Sequence, residues 1–359
     1  MAYRNLRFCT LHIGTEKTGT TTLQAFLQLN RRELLARGLF VPSSLSPYDR
    51  LANHERLTTY ALNSSKLNDD RRTQLGLKSA QDVDRHRRDV LDALEQELAN
   101  LRPTAGDLTL LLSNEHCHSR LVEVGEVQLL KEFLQGFVDK FRIIVYLRPQ
   151  HELATSLYDT ALRAGYADID VIPRFAIDRR NWVSPGYFDY AQLLSRWATV
   201  FGIGNIQVRI YSRSELYKGS IINDFARMIG CDLQDFQVPA DKNRSLDAVC
   251  QTVLNFVNRY ARAHPEELKS AARGQLIAAL ERTSRGAGTR PGRACASQFF
   301  HSYDHSNDQV KRLFFPDRER LFDPDFSNFP DEEESVPPEE EALVRMFLRL
   351  SGISLPQAP

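Results

Sequence analysis

The stretch Leu11-His-Ile-Gly-Thr-Glu-Lys-Thr-Gly-Thr-Thr-Thr22 concentrates residue types that hold an anion. Backbone N–H groups of a Gly/Thr loop that opens a helix converge on one point and add the positive end of the helix dipole. Gly14 and Gly19 permit tight turns and close backbone approach. Thr20, Thr21 and Thr22 add hydroxyl donors, and Lys17 adds a mobile positive charge at a group being transferred. The spacing is not that of the nucleotide triphosphatase loop, G-x-x-x-x-G-K-[ST]. Here Gly19 is followed by Thr20, and Lys17 lies two residues earlier. A magnesium-dependent phosphoryl-transfer site also needs an Asp at the end of an apolar strand. Leu108–Leu112 instead runs into Ser113-Asn114-Glu115, and Arg142–Leu147 runs into Arg148. The expectation is a cradle for a phosphate-like anion with no magnesium carboxylate.

Lys17-Thr-Gly-Thr-Thr21 resembles the 5′-phosphosulfate loop of sulfotransferases that use 3′-phosphoadenosine 5′-phosphosulfate (PAPS). A second stretch, Ile143-Ile-Val-Tyr-Leu-Arg148-Pro-Gln-His-Glu-Leu-Ala-Thr-Ser156-Leu-Tyr158, is similar to the family's 3′-phosphate element. That element is a strand ending in Arg, with a Ser eight residues later. The wider likeness is to bacterial members of the family. It takes in Asn53-His54, Ser113-Asn-Glu115, Trp197-Ala-Thr-Val-Phe-Gly202, Asn307 and Leu321-Phe-Asp323, and covers about residues 7–325. It implies PAPS as cosubstrate, with Lys17 at the bridging oxygen and residues Thr18, Gly19, Thr20, Thr21 and Thr22 around the 5′-phosphate. Arg148 and Ser156 would hold the 3′-phosphate. The acceptor would be carbohydrate-like, a glycolipid or a small hydroxylated metabolite, accepting at a hydroxyl or amine. An Arg-Lys-Gly signature near the C-terminus, present in animal enzymes, is missing; Ser284-Arg-Gly-Ala-Gly-Thr-Arg290 is a loose counterpart.

The reaction needs a general base, and two residues compete for it. His54 follows the second strand, where related glycan sulfotransferases carry a His or Glu, and a histidine's ordinary pKa of about 6.5 suits the task. Glu115 follows the third strand, at the carboxyl edge where open α/β sheets bind ligands. It could instead cap the next helix. His116 and His118 flank Cys117 but lack a second spaced pair, so no metal site is expected.

These residues need a frame. Apolar runs at Phe8–Ile13, Leu39–Val41, Leu108–Leu112, Arg142–Leu147 and Ile206–Ile210 alternate with helical patterns at Thr21–Leu35, Asp82–Leu101, Gly125–Val138, Gln150–Arg163, Tyr187–Phe201 and Ser214–Ile229. Continuous apolar strands separated by helices predict an α/β fold, a parallel sheet flanked by helices with a P-loop-like phosphate loop after the first strand. The chain reads as one domain over 1–359 with a mainly helical part over 243–359. Polar excursions at 46–80 and 165–186 read as insertions or lid loops. The second carries Arg174, Arg179, Arg180 and Trp182. The acidic stretch Asp331–Glu341 precedes a short last helix.

Composition removes other classes. Among 359 residues, Lys+Arg and Asp+Glu are both 46, so the basic excess of a nucleic-acid binder is missing. No run of 18 apolar residues suggests a membrane span, and no signal peptide is expected. Five scattered cysteines suit a reducing cytoplasm. The sequence leaves room for a homo-oligomer. Two rival readings are a P-loop kinase for a small molecule and a non-catalytic nucleotide-binding scaffold.

Overall fold

Five runs of apolar and β-branched residues form one sheet: β1 (Leu6–His12), β2 (Leu39–Phe40), β3 (Leu108–Ser113), β4 (Lys140–Leu147) and β5 (Ile206–Ile210). The computed structural model describes residues 6–47, 51–101, 106–175, 183–239, 245–265 and 270–332. The strand order is β2-β3-β1-β4-β5, and every pairing is parallel. The central strands are buried along nearly their whole length, as their unbroken apolar runs require. The chain leaves β1 toward the β2 edge and leaves β4 toward the β5 edge. The connections that leave these two neighbouring strands therefore run in opposite directions, the switch point at which open α/β sheets leave a crevice.

The α/β class expected from sequence is the fold observed. The helices in chain order are α1 (Thr20–Leu29), α2 (Arg31–Ala36), α3 (Glu55–Ala61), α4 (Asp70–Gln74), α5 (Ala80–Ala99), α6 (His116–Arg120), α7 (Val124–Gln135), α8 (Gln150–Ala164), α9 (Tyr190–Phe201), α10 (Ile221–Met228), α11 (Ala248–Ala263), α12 (Ser270–Thr283), α13 (Arg293–His301) and α14 (Asp304–Phe314). The single helix expected over Thr21–Leu35 is two. Asn30 breaks it because its side chain binds both Phe26 O (2.8 Å) and the backbone of Gln237 (2.8 Å). The 46–80 excursion holds α3 and α4. Arg72, fully buried, closes α3 by donating to the carbonyls of Leu62 and Asn63, each at 2.6 Å. Arg179, Arg180, Trp182 and the expected last helix lie outside the described residues.

By its internal contacts the chain divides into two compact units. The first comprises residues 1–148, 189–242 and 306–321 and contains the whole sheet. Its core joins Leu23, Phe26 and Leu27 of α1 to Leu111, Ile144 and Tyr146 of the sheet and to Ile222 and Phe225 of α10. The second comprises 149–188, 243–305 and 322–359. Among its described residues, Leu162, Leu246, Cys250, Leu254 and Leu280 pack together. There the buried Asp159 accepts from Leu246 N–H (3.0 Å) and Gln251 (3.2 Å) while pairing with Arg163 (2.7 Å).

Candidate active site

The loop after β1 is an extension of the sheet. Ile13 and Thr15 N–H donate to the carbonyls of Ile144 (3.0 Å) and Tyr146 (3.1 Å), and Tyr146 N–H donates to Gly14 O (3.1 Å). The Thr15 hydroxyl adds a bond to Tyr146 O (3.1 Å), and the buried Thr18 hydroxyl donates to Thr15 O at 2.6 Å. Thr18 therefore braces the loop with its side chain. Gly14, Lys17 and Gly19 all take left-handed backbone, with φ of 89°, 61° and 76°. At Gly14 a Cβ would lie 3.0 Å from Glu115 Cα, so glycine is the residue that lets β3 approach. Lys17 pays a conformational cost that glycine would not, the kind of local strain that gathers at functional turns.

The loop runs straight into α1. Gly19 is its N-cap, no side chain caps it, and its first turn carries no acidic residue. The first intrahelical bond is Leu23 N–H to Gly19 O (3.0 Å), so the N–H groups of Thr20, Thr21 and Thr22 precede the ladder. Thr20 is buried, Thr22 half-buried and Thr21 exposed. Arg148, at the end of β4, donates from Nη1 to Lys17 O (3.3 Å), and its own carbonyl accepts from the Tyr190 hydroxyl (2.6 Å). Lys17 and Arg148 thus meet where the connections of β1 and β4 part, next to the start of α1. Ser156 lies half-buried on α8, in the second unit. In that unit the 284–290 loop is fastened to the start of α11: Ser284 Oγ accepts from Asp247 N–H (2.7 Å), and Thr289 N–H donates to Gln251 (2.8 Å).

The two candidate bases occupy different surroundings. His54 is fully buried. Ser113 N–H donates to its Nδ1 (2.9 Å), which fixes Nδ1 as the acceptor and leaves Nε2–H to donate to Pro42 O (3.1 Å). Burial, with the Arg31 charge, pushes this histidine down to about 4. It is a neutral clasp between the end of β2 and the end of β3. Glu115 is half-buried beside Gly14, and Gln24 of α1 donates to its carboxylate. It does not cap α6. That job falls to Asn114, whose Oδ1 accepts from His116 N–H (2.8 Å) and whose Nδ2 donates to His54 O (2.8 Å) and Thr58 (2.8 Å).

A charged cluster not anticipated as a site lies behind Glu115. His116 Nδ1 sits 3.4 Å from Glu16 Oε1, and its Nε2 is 3.4 Å from Arg71 Nη2. Burial alone would raise the Glu16 carboxyl, but His116 at 3.4 Å, with Ser119 and the His118 charge, outweighs it and brings it to about 2. Burial alone would lower His116, but Glu16 and the Glu115 charge outweigh that and raise it. The sequence showed His116 only as a neighbour of Cys117 and His118; its partners come from positions 16 and 71, which no local pattern connects. No group of three metal-ligating side chains occurs among the described residues, and no described helix is long and apolar enough to cross a membrane.

No protein-family model matches the chain. A 147-residue stretch, 41% of the chain, is 28% identical to an uncharacterized protein of Archaeoglobus fulgidus and covers 38% of that protein. A crystal structure of a sulfotransferase from Alicyclobacillus acidocaldarius is similar to this chain at 15% identity and a TM-score of 0.37, over 74% of this chain and 98% of that one.

Proposed function

We propose that this chain is a sulfotransferase that moves a sulfuryl group from PAPS to a hydroxyl or amine of an acceptor. The acceptor would be carbohydrate-like, a glycolipid or a small hydroxylated metabolite, and the work would be done in the cytoplasm. The observation that carries the reading is the loop: Gly14, Lys17 and Gly19 in left-handed backbone, an α1 start without a side-chain cap, and the Arg148 guanidinium bonded to Lys17 O. Such a cradle fits a doubly charged phosphate group through backbone donors and one or two cations.

PAPS supplies the sulfuryl group and a phosphate leaving group. The chain's share is positioning and charge stabilisation. The N–H groups from Thr18 to Thr22 hold the 5′-phosphate, and Lys17 neutralises charge on the bridging oxygen. Arg148 would serve the 3′-phosphate. Glu115 takes the acceptor proton, because it is partly exposed at the carboxyl edge whereas His54 is enclosed with both nitrogens engaged.

The test is thermal stability of the purified protein with 3′,5′-ADP, with 5′-ADP and with ATP·Mg²⁺. At a hundredfold excess over Kd, binding stabilises by about 2.7 kcal/mol. A shift with 3′,5′-ADP that is lost in Arg148→Ala is the expected result. A shift with ATP·Mg²⁺ alone would make the chain a kinase, and no shift with any of the three would make it a scaffold.

A further inference from the structure

His116 opens α6 next to Glu115, with its side chain only 12% exposed. It reaches two segments far apart in sequence. Glu16, the residue before Lys17, faces Nδ1 at 3.4 Å. Arg71 of α4 faces Nε2 at 3.4 Å. Arg71 is otherwise held by Gln74 (3.1 Å) and lies 3.5 Å from Glu55 at the start of α3. A guanidinium has donors only. The approach of Arg71 to Nε2 is attractive only when Nε2 carries a lone pair, which makes the ring neutral with its proton on Nδ1, the nitrogen 3.4 Å from Glu16.

The surrounding charges pull both ways. Glu16 from the loop and Glu115 from the preceding residue favour the imidazolium, while burial and Arg120 on the same helix oppose it. Arg71 opposes it from α4, at hydrogen-bond range. Arg120 is itself paired with Asp69 and Asp70, and the charge of His118 acts on Glu16.

We propose that His116 is a positioning residue that ties α4 to the phosphate loop. Its neutral ring sets Nδ1–H 3.4 Å from Glu16 and accepts from Arg71 at Nε2, and protonation at Nε2 opens the Arg71 side while strengthening the attraction to Glu16. Acid therefore loosens α4, in the 46–80 excursion, and leaves the residue beside Lys17 held. The meaning of this tie for turnover rests on the sulfotransferase reading, but the tie itself does not.

The experiment uses the full chain without nucleotide. Ring NMR follows the titration of His116, and hydrogen exchange, corrected for intrinsic rates, follows residues 70–74 and 15–19 between pH 5.5 and 8.5. In the wild type, protection of 70–74 should fall about fivefold as His116 takes up its proton, the effect of losing one hydrogen bond, while 15–19 holds. His116→Gln can donate to Glu16 and accept from Arg71 without titrating, so its 70–74 protection should stay high and flat. A step that survives in His116→Gln, or a wild type with no step through the His116 titration, overturns the proposal. If 3′,5′-ADP fails to bind, the transferase reading falls and this result stands on its own.

Discussion

The phosphate loop and the cluster behind it are made of different materials. Residues 13–19 are held by main chain: three backbone bonds to β4, two threonine hydroxyls turned onto carbonyls, and an arginine on Lys17 O. Apart from that arginine, nothing in this lacing carries a charge, and nothing in it titrates near neutrality. The Glu16–His116–Arg71 side is held by side-chain charge at 3.4 Å and is open to protons. An anion cradle needs donors fixed in place before the ligand arrives, which backbone supplies at no reorganisation cost. Taking a proton from an acceptor needs a group that can change its charge. Under the proposed function, the division of materials would follow the division of labour.

Charge deletions are the strongest way to break this division. Lys17→Ala keeps a Cβ in the same left-handed turn, and Glu115→Gln keeps the shape that meets Gln24. Each should cut sulfuryl transfer by about a hundredfold to a thousandfold, while the Kd for 3′,5′-ADP, read by calorimetry, stays within about tenfold. If both variants lose nucleotide binding in parallel with turnover, cradle and proton acceptor are one structure and the contrast is wrong.

The sequence made one half of the site legible and left the other dark, for a physical reason. A phosphate loop is local: Gly14, Lys17, Gly19 and the threonines are near neighbours, and their conformational demands are written in residue types. The strands were legible because central parallel strands must be apolar on both faces, and β3, β4 and β5 fall within a residue or two of the expected runs. The Glu16–His116–Arg71 chain is assembled by tertiary contact alone. The surroundings of His54 were dark for the same reason: Asn53-His-Glu-Arg56 is a polar stretch, and it is Ser113 and Pro42, far away in sequence, that enclose the ring. The α3 and α4 helices were missed because a buried arginine on carbonyls closes the first of them, in place of an apolar stripe.

His54 gives the next largest effect, on stability. Its ring is held down at about 4 in the folded protein, against about 6.5 when unfolded. Above pH 6.5 both states are neutral and its contribution is complete. As pH falls from 6.5 toward 4 the unfolded chain binds the proton and the folded chain does not, so about 3 kcal/mol is lost over that window. His12, at about 3, and His86, at about 4, add background in the same direction. The urea midpoint of the wild type should therefore drop more steeply between pH 7 and 4.5 than that of His54→Gln. Equal slopes would return His54 to solvent and reopen its candidacy as the base.

Gly14→Ala should have the smallest effect, and it probes a place where the two halves touch. Gly14 belongs to the cradle, yet its missing side chain is what admits Glu115. A methyl there would meet Glu115 Cα at 3.0 Å and would hold φ near 89°. Left-handed backbone costs a β-carbon residue about 1 kcal/mol or more. Relief of the clash adds to that, and the stiffer unfolded chain gives back about 0.4–1 kcal/mol. The net loss should be about 2 kcal/mol, a shift in Tm of a few degrees. Because the cradle is strapped to β4, the strain should move the β3 end instead. Turnover should then fall more than 3′,5′-ADP affinity, at a temperature where the variant is folded. A larger loss in affinity than in turnover would show that the loop yields first, and that the backbone lacing is the softer of the two materials.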